Sequence, residues 1–439
     1  MSRDGRSVDD GVNRREFLVA SGGALAGLSL LGLTACGSGG GAETGELILS
    51  VSPFMEEVAR RQAGRFNAAH PDGPRVALRV MPEDTGQYFG QLRTQFQAGG
   101  SDIGVIVGDV IWPPQLAAPG WISDLSERFT PELQKAFLPG TVAAMVYEDR
   151  VWGVPWFTDS GLLYYRQDLL EEAGFTDPPA TWDELKEMAA KVQADAGTKH
   201  GFVFTGAIYE GGTVLGTEFI RGAGGDILDG KEVVIARPEA IRGLTIQQSL
   251  VADGIAPEAV GNFKEDEASG AFLRGDAVFM RMWPYAYDLL SDPEQSDIET
   301  AQVGLAQIPV SRAGVTPVNV GGGWNFYVNA SAGDQDGAWA LIEFMTAAEQ
   351  QKETALVASL LPTRKEVYDD PEVLEQLPAV ALGKEAILQT TTPPVSPYYA
   401  DLSEAMAKQF NANVLGSVTP QEAAETLQEE LSGIVERGG

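Results

Sequence analysis

The chain has 439 residues and carries 62 acidic side chains against 31 basic ones, a formal net charge of −31. So acidic a chain repels phosphate backbones, and no nucleic-acid partner is expected. One cysteine and two histidines exclude an intramolecular disulfide and a cysteine-built zinc or iron–sulfur site, and weigh against a histidine-dependent triad or a histidine-rich metal site. No metal, cofactor or catalytic residue is expected, although the many acids leave carboxylate chemistry open on inventory alone.

The N-terminal stretch NRREFLVASGGALAGLSLLGLTAC sets Arg14 and Arg15 ahead of an uncharged run, Phe17 to Ala35, that approaches membrane-spanning length. Arg-Arg-Glu-Phe-Leu resembles the twin-arginine export motif, with Asn13 where Ser or Thr is usual. Leu33-Thr34-Ala35-Cys36 resembles the lipobox of prokaryotic lipoproteins. The two resemblances imply that residues 1–35 are an export signal removed on maturation. They imply also that Cys36 carries a lipid anchor in the cell membrane. Residues 36–45, rich in glycine, read as a lipidated flexible tether; ten such residues span about 15–20 Å.

From Glu46 onward short apolar runs alternate with amphipathic ones, the pattern of an α/β fold. ELILSVS, RVALRVM and DIGVIVGD read as strands. Between them, EEVARRQAGRFNAAHP reads as a helix that stops at Pro71, and GQYFGQLRTQFQAG as a second with Tyr88, Leu92 and Phe96 on one face. TWDELKEMAAKVQ opens on a capping box, Thr181 to Glu184. HGFVFTG, QVGLAQIPV and GWNFYVNA read as further strands, and GAWALIEFMTAAEQQKE as a strong amphipathic helix. A last helix, TPQEAAETLQEELSGIVE, starts with Thr419, Pro420 and Glu422 in cap positions. His70 and His200 fall at a helix end and before a strand, where exposed structural roles are expected.

At GVPWFTDSGLLYYRQDLLEEAGFTDPPATWDELKEMA the chain resembles the carbohydrate-binding lipoproteins of bacterial ABC importers, the maltose- and trehalose-type solute-binding proteins. VIVGDVIWPPQLAAPGWISDLSE, YEGGTVLGTEFIRGAGGDILD, AFLRGDAVFMRMWPYAYDLL, GGGWNFYVNAS, LPTRKEVYDD and PPVSPYYADLSEA match in the same order, over nearly all of residues 46–439. The resemblance implies a two-lobed periplasmic-binding-protein-like fold of type II, with a ligand cleft between α/β lobes and a hinge of crossing strands. Carried onto this chain, the first lobe takes residues 46–158 and 312–362 and the second 159–311 and 363–439. The implied partners are a small carbohydrate, the permease subunits of an importer and, through Cys36, the membrane; a monomer is expected.

A sugar presents hydroxyl edges and apolar faces, so its site needs carboxylates, amides or arginine beside flat aromatic rings. Asp109 directly follows a buried strand, where α/β sheets place ligands, and the family has a sugar contact at the matching position. Glu56 follows the first strand; a dipole-favoured carboxylate at a helix start is the plainer reading. Phe157, beside Trp156, falls at the first crossing, at a position where the family often has Asn or Tyr. Glu210 matches a ligand-facing Tyr-Glu-Gly of the relatives, and Thr205 stands near a position where they often carry Gln. Trp283 is the stacking candidate; Trp112, next to Pro113, reads as packing. Gly321, Gly322 and Gly323 before Trp324 can let backbone approach a ligand, and Gly322, Gly323 and Trp324 are taken as contacts. Arg364 resembles a hinge-region arginine near the cleft, against a surface ion pair. Trehalose-type relatives often read Arg-Pro-Val before Pro-Tyr-Tyr; here Pro393 takes the arginine's place.

The function implied is an extracytoplasmic receptor that closes on a sugar and delivers it to an importer. A secreted glycosidase with two carboxylates is the alternative from another class. The same fold serving a polyol, a glycerol phosphate ester or a peptide is a third.

Overall fold

The alternating runs build two α/β bodies in the computed structural model, which describes residues 45–377, 379–380, 382, 393–394 and 396–437. Cys36 and the expected export signal and tether lie outside the described residues.

The first body is built on a six-stranded sheet. Its strands are β1 (Glu46–Val51), β2 (Arg75–Val80), β3 (Ile103–Asp109), β4 (Val154–Ser160), β9 (Gly321–Val328) and β10 (Leu361–Pro362), in the order β10-β4-β9-β3-β1-β2. β1 runs parallel to β2 and β3, while β9 runs antiparallel to β3 and β4. β3 is buried along its length except at its last residue, Asp109. That is why it reads as an unbroken apolar run ending in an acid. Helix α1 (Glu56–Ala69) lies against β2, and helices α7 (Gln335–Met345) and α8 (Ala348–Ala358) pack beside it. Helix α2 (Thr85–Gln97) starts at Asp84, whose carboxylate accepts the Gln87 N–H at 3.0 Å, and buries Tyr88, Phe89, Leu92 and Phe96.

The second body is built on four strands, β5 (Leu162–Arg166), β6 (His200–Val203), β7 (Ala277–Met282) and β8 (Val303–Ala306), in the order β8-β5-β7-β6. Helix α3 (Trp182–Ala196) opens on the expected capping box, both bonds of which form between Thr181 and Glu184. Helices α4 (Glu210–Arg221) and α5 (Pro238–Ala252) pack with the C-terminal helices α9 (Tyr399–Val414) and α10 (Pro420–Arg437). Helix α6 (Glu265–Leu273) leans on β7. Among the described residues no helix is long and apolar enough to cross a membrane.

Three segments join the bodies. The first passes through the single residue Gly161 between β4 and β5, three residues beyond the Thr158 expected from sequence. The second is the segment from β8 to β9, which contains Ser311. The third differs from the expectation that residues from 363 belong to the second lobe. Leu138 N–H donates to the Thr363 carbonyl at 2.8 Å and Lys365 N–H to that of Ala136 at 3.0 Å. Val367, Tyr368, Val373 and Leu377 are buried with Ala355 and Leu361 of the first body. The chain thus stays with the first body through Leu377, and Ala379 packs with Leu162 and Met280 of the second. The apolar side chains after Pro362 have their burial on the first body, so the crossing moves past them.

Candidate functional site

A cavity of about 490 Å³ lies between the two bodies, inside the size range of small-molecule sites. Chain ends at the sheets supply its wall: Asp109 at the end of β3, Asp159 near the end of β4, Gly321, Gly322 and Gly323 at the start of β9, and Glu210 at the first residue of α4. Asp109 and Trp324 face each other as ladder partners in neighbouring strands.

Rings and carboxyl groups share this wall. Phe54, Tyr209, Trp283, Tyr285 and Trp324 line it. Phe54 of the first body stacks on Tyr285 of the second with ring centroids 5.9 Å apart, and meets Trp324 edge-on at 5.7 Å. The Trp283 ring has the Arg281 guanidinium 4.0 Å from its centroid. Arg281 in turn makes a two-pronged pair with Glu218, at 2.8 and 2.6 Å, with both side chains 1 % exposed. Gly161 is required above this pair, because a Cβ there would stand 2.6 Å from both Arg281 Nη2 and Glu218 Oε1. The residue that links the two sheets is therefore a glycine for the sake of a buried ion pair beneath it.

The carboxyl groups are held in unusual protonation ranges. Enclosure pushes Asp109 up to about 8, with the charges of Glu210 and Asp159 adding to the effect. Burial pushes Asp159 up to about 7, with Arg281 pulling the other way. Glu210 is also raised by burial, although Tyr399 Oη, at 2.7 Å, and Ser403 Oγ donate to its two oxygens and offset part of the effect. Glu265, set against Tyr209 and Trp283, is raised by burial as well. These shifts follow from gathering acids in a half-enclosed, ring-lined space.

Of the nine ligand positions expected from sequence, Asp109, Glu210, Trp283, Gly322, Gly323 and Trp324 line the cavity. Gly323 has φ +134°, and a Cβ on it would stand 2.7 Å from the Phe157 carbonyl oxygen, so the triple glycine also serves the pairing of β9 with β4. The other three positions are corrected. Glu56 lies outside the wall and pairs with Arg60 one helical turn on; Phe54, two residues earlier, takes the wall position. Phe157 is 1 % exposed and packs in the core of the first body against Trp156. Arg364 donates from Nε to the Thr346 carbonyl at 2.7 Å and lies 4.8 Å over the Phe137 ring, fastening the chain to the first body away from the cavity. Trp112 is buried against Tyr88 and Trp324, as the packing reading holds. Thr205 is buried, and Pro393 lines the cavity.

Asp159, Tyr285, Lys264 and Glu265 were not singled out in the sequence. Asp159 sits inside the run GVPWFTDSG, two positions beyond Phe157, and period-two alternation sets both residues on one face of the strand. Lys264 and Glu265 lie in a charged stretch, NFKEDEASG, that reads as an exposed helix start.

Residues 47–352 match the sequence pattern of the family described as bacterial extracellular solute-binding protein. The chain belongs to that family. A probable ABC transporter-binding protein of Deinococcus radiodurans is 32 % identical over 379 residues, covering 84 % of this chain and 89 % of that protein. The structure of maltose-bound T. maritima MalE3 superposes with a TM-score of 0.84 at 35 % identity, covering 89 % of this chain and 99 % of the other. A maltotriose-binding protein of Pyrococcus abyssi is 24 % identical over 328 residues, covering 74 % of this chain and 67 % of that protein. This solute-binding protein thus has the mixed α/β periplasmic-binding-protein fold and serves an ABC transporter. Like its family it binds solute without turning it over, which sets aside the glycosidase alternative.

Proposed function

We propose that this solute-binding protein is a carbohydrate receptor whose two lobes close by a hinge on a small saccharide, of the di- or oligosaccharide class, and deliver it to permease subunits. The observation that carries the reading is the mixed wall of the cavity, where Trp283 and Tyr285 stand among Asp109, Glu210 and Asp159. Rings offer flat apolar surface to the C–H faces of a sugar, and carboxylates accept from its hydroxyls. Acids from both bodies meet the same space, so a sugar held there touches both lobes only when they are together, which favours the closed form on binding. The names of the maltose- and maltotriose-binding relatives support the same class.

The proposal includes the address: cleavage before Cys36, a diacylglyceryl group on its sulfur, a glycine-rich tether and a monomeric body held beside the permease. Intact-mass analysis of membrane-extracted protein tests it, an uncleaved chain with free Cys36 being the contrary result. For the ligand, thermal unfolding is followed against a panel of mono- and disaccharides that includes glucose, maltose and trehalose. A ligand bound only by the folded state raises the midpoint by mass action. A midpoint unmoved by every saccharide, with a rise on peptides or phosphate esters, overturns the carbohydrate reading.

A further inference from the structure

Among the described residues the cavity wall carries eight carboxyl groups and one ammonium, that of Lys264. That ammonium is already committed to Asp84 at 2.6 Å. The cation that acts on Asp159 is the Arg281 guanidinium, whose Nε and Nη2 are committed to Glu218. Asp159 itself is 7 % exposed, lines the cavity, and has no hydrogen-bond partner for its buried Oδ1. A buried acceptor without a donor costs free energy unless something supplies one.

Two kinds of cation can answer such a wall. A metal ion needs several ligands converging on one point, and among the described residues no group of three or more acidic, histidine or cysteine side chains does so. An organic ammonium asks for less convergence: one close carboxylate, other negative charge nearby and aromatic surface beside it. Those conditions are met around Asp159. A Cβ placed on Gly322 would stand 3.4 Å from both the Asp159 Cβ and the Trp283 ring, so carboxylate and ring flank the same strip of backbone. Asp109 and Glu210 lie close enough for their charges to act on one another.

We propose that the saccharide taken by this cleft bears a basic nitrogen, whose ammonium seats against Asp159 with Asp109 and Glu210 around it. The inference rests on the carbohydrate reading and narrows it. A neutral sugar offers hydroxyl donors to the carboxyl groups of the wall but no countercharge to hold them ionised. A protonated amine supplies both the donor for Asp159 and the countercharge. Burial raises Asp109, and the charges of Glu210 and Asp159 add to the effect, which places the three carboxyls within reach of one another's fields.

The test is calorimetry at neutral pH on matched pairs: glucose and glucosamine, then maltose and trehalose, each against analogues in which one ring hydroxyl at a time is replaced by an amine. In at least one pair the amine should bind tenfold or more tightly than its neutral partner. Asp159→Asn should cut that ratio at least tenfold, and Glu210→Gln should lower it in the same direction, with thermal melts of the unliganded variants showing that both fold. If neutral sugars bind and no aminated analogue binds more tightly, or if the ratio is unchanged in both variants, the ammonium proposal is overturned while the carbohydrate reading stands. If neither member of any pair binds, the carbohydrate reading fails and this proposal falls with it.

Discussion

Lys264 Nζ lies 2.6 Å from Asp84 Oδ2, joining residues 180 positions apart on opposite sides of the cleft. Each stands just before a helix, Asp84 before α2 and Lys264 before α6. Lys264 also lies 4.9 Å from the centroid of the Tyr209 ring. The pair lies in the cavity wall and ties the first body to the second. Burial alone would raise Asp84, but the Lys264 ammonium and the Gln87 N–H outweigh it and hold the carboxyl below its usual range. With the Lys264 side chain 42 % exposed and that of Asp84 19 %, such a pair contributes at most about 1 kcal/mol. Lys264→Met should therefore shift the balance between closed and open unliganded protein toward the open form by up to about fivefold. Small-angle scattering of the unliganded variant should give a larger radius of gyration than wild type, a difference that shrinks in high salt. An unchanged radius at low salt would show that the pair does not bias the hinge.

Asp109 and Asp159 make stability depend on pH in an unusual direction. Their carboxyls sit at about 8 and about 7 in the folded protein, against an ordinary value of 3.8. A carboxyl raised on folding binds its proton more tightly in the native state. Its contribution is therefore fully present below the unfolded value and is lost as pH rises through the folded one. Between pH 5 and 8 each such group lowers unfolding free energy by up to about 1.4 kcal/mol per pH unit, shared because the two titrate with Glu210 as a set. The unliganded protein should melt at a higher temperature at pH 5 than at pH 8. Asp109→Asn should flatten that dependence, with its gain at pH 8 and little effect at pH 5. Melts across that range check both statements, and a wild-type midpoint that climbs toward pH 8 would sink them.

The Arg281–Glu218 pair offers a sharper contrast. Both side chains are 1 % exposed. Removing one partner leaves an uncompensated buried charge, at a cost of about 3–5 kcal/mol. Arg281→Met should lose that much in urea unfolding, while Arg281→Met with Glu218→Leu should recover most of it, since buried pairs replaced together by apolar side chains are often neutral. Gly161→Ala should also destabilise, because its Cβ would collide with both members of the pair. The double variant should still bind ligand more weakly than wild type, because the Trp283 ring loses the guanidinium beneath it. A double variant as unstable as Arg281→Met would mean that the pair's worth lies in its packing and not in its charge balance.

Much of the scaffold is legible in sequence because its signals are local. The capping box at Thr181 and Glu184, the buried face of Tyr88, Leu92 and Phe96, and the acid ending β3 each depend on residues within a few positions of one another. The site is only half legible for the opposite reason. Asp109 closes a buried strand, a position the sequence marks by itself, and Glu210, the first residue of α4, is marked by its resemblance to the relatives' Tyr-Glu-Gly. Glu218 and Arg281 are 63 positions apart, and nothing near either announces that burial will bring them together under Gly161. Arg364 shows the reverse: a conspicuous arginine after a strand resembles a cleft residue, yet its Nε donates to Thr346, its Nη1 pairs with Glu366 at 3.4 Å, the ion-pair alternative, and its guanidinium lies over Phe137. Which side chains face the cavity is decided by the angle between two separately folded bodies, and no local pattern encodes that angle.

Trp283 and Arg364 separate the two roles in one experiment. Both were cleft candidates; one lines the cavity and the other does not. Trp283→Ala removes flat surface from the wall, and stacked aromatic surface in a desolvated site is worth on the order of 1.4 kcal/mol or more. A tenfold or greater loss of saccharide affinity is expected, with a small loss of stability from the vacated space over Arg281. Arg364→Ala removes one hydrogen bond to a backbone carbonyl, a guanidinium–ring contact and a surface ion pair with Glu366, together about 1–2 kcal/mol. Its effect should fall on unfolding, with affinity within about twofold of wild type, less than 0.5 kcal/mol. Calorimetry and urea unfolding on the same two preparations read both quantities. If Arg364→Ala weakens binding as much as Trp283→Ala does, the cavity drawn here is not where the ligand sits.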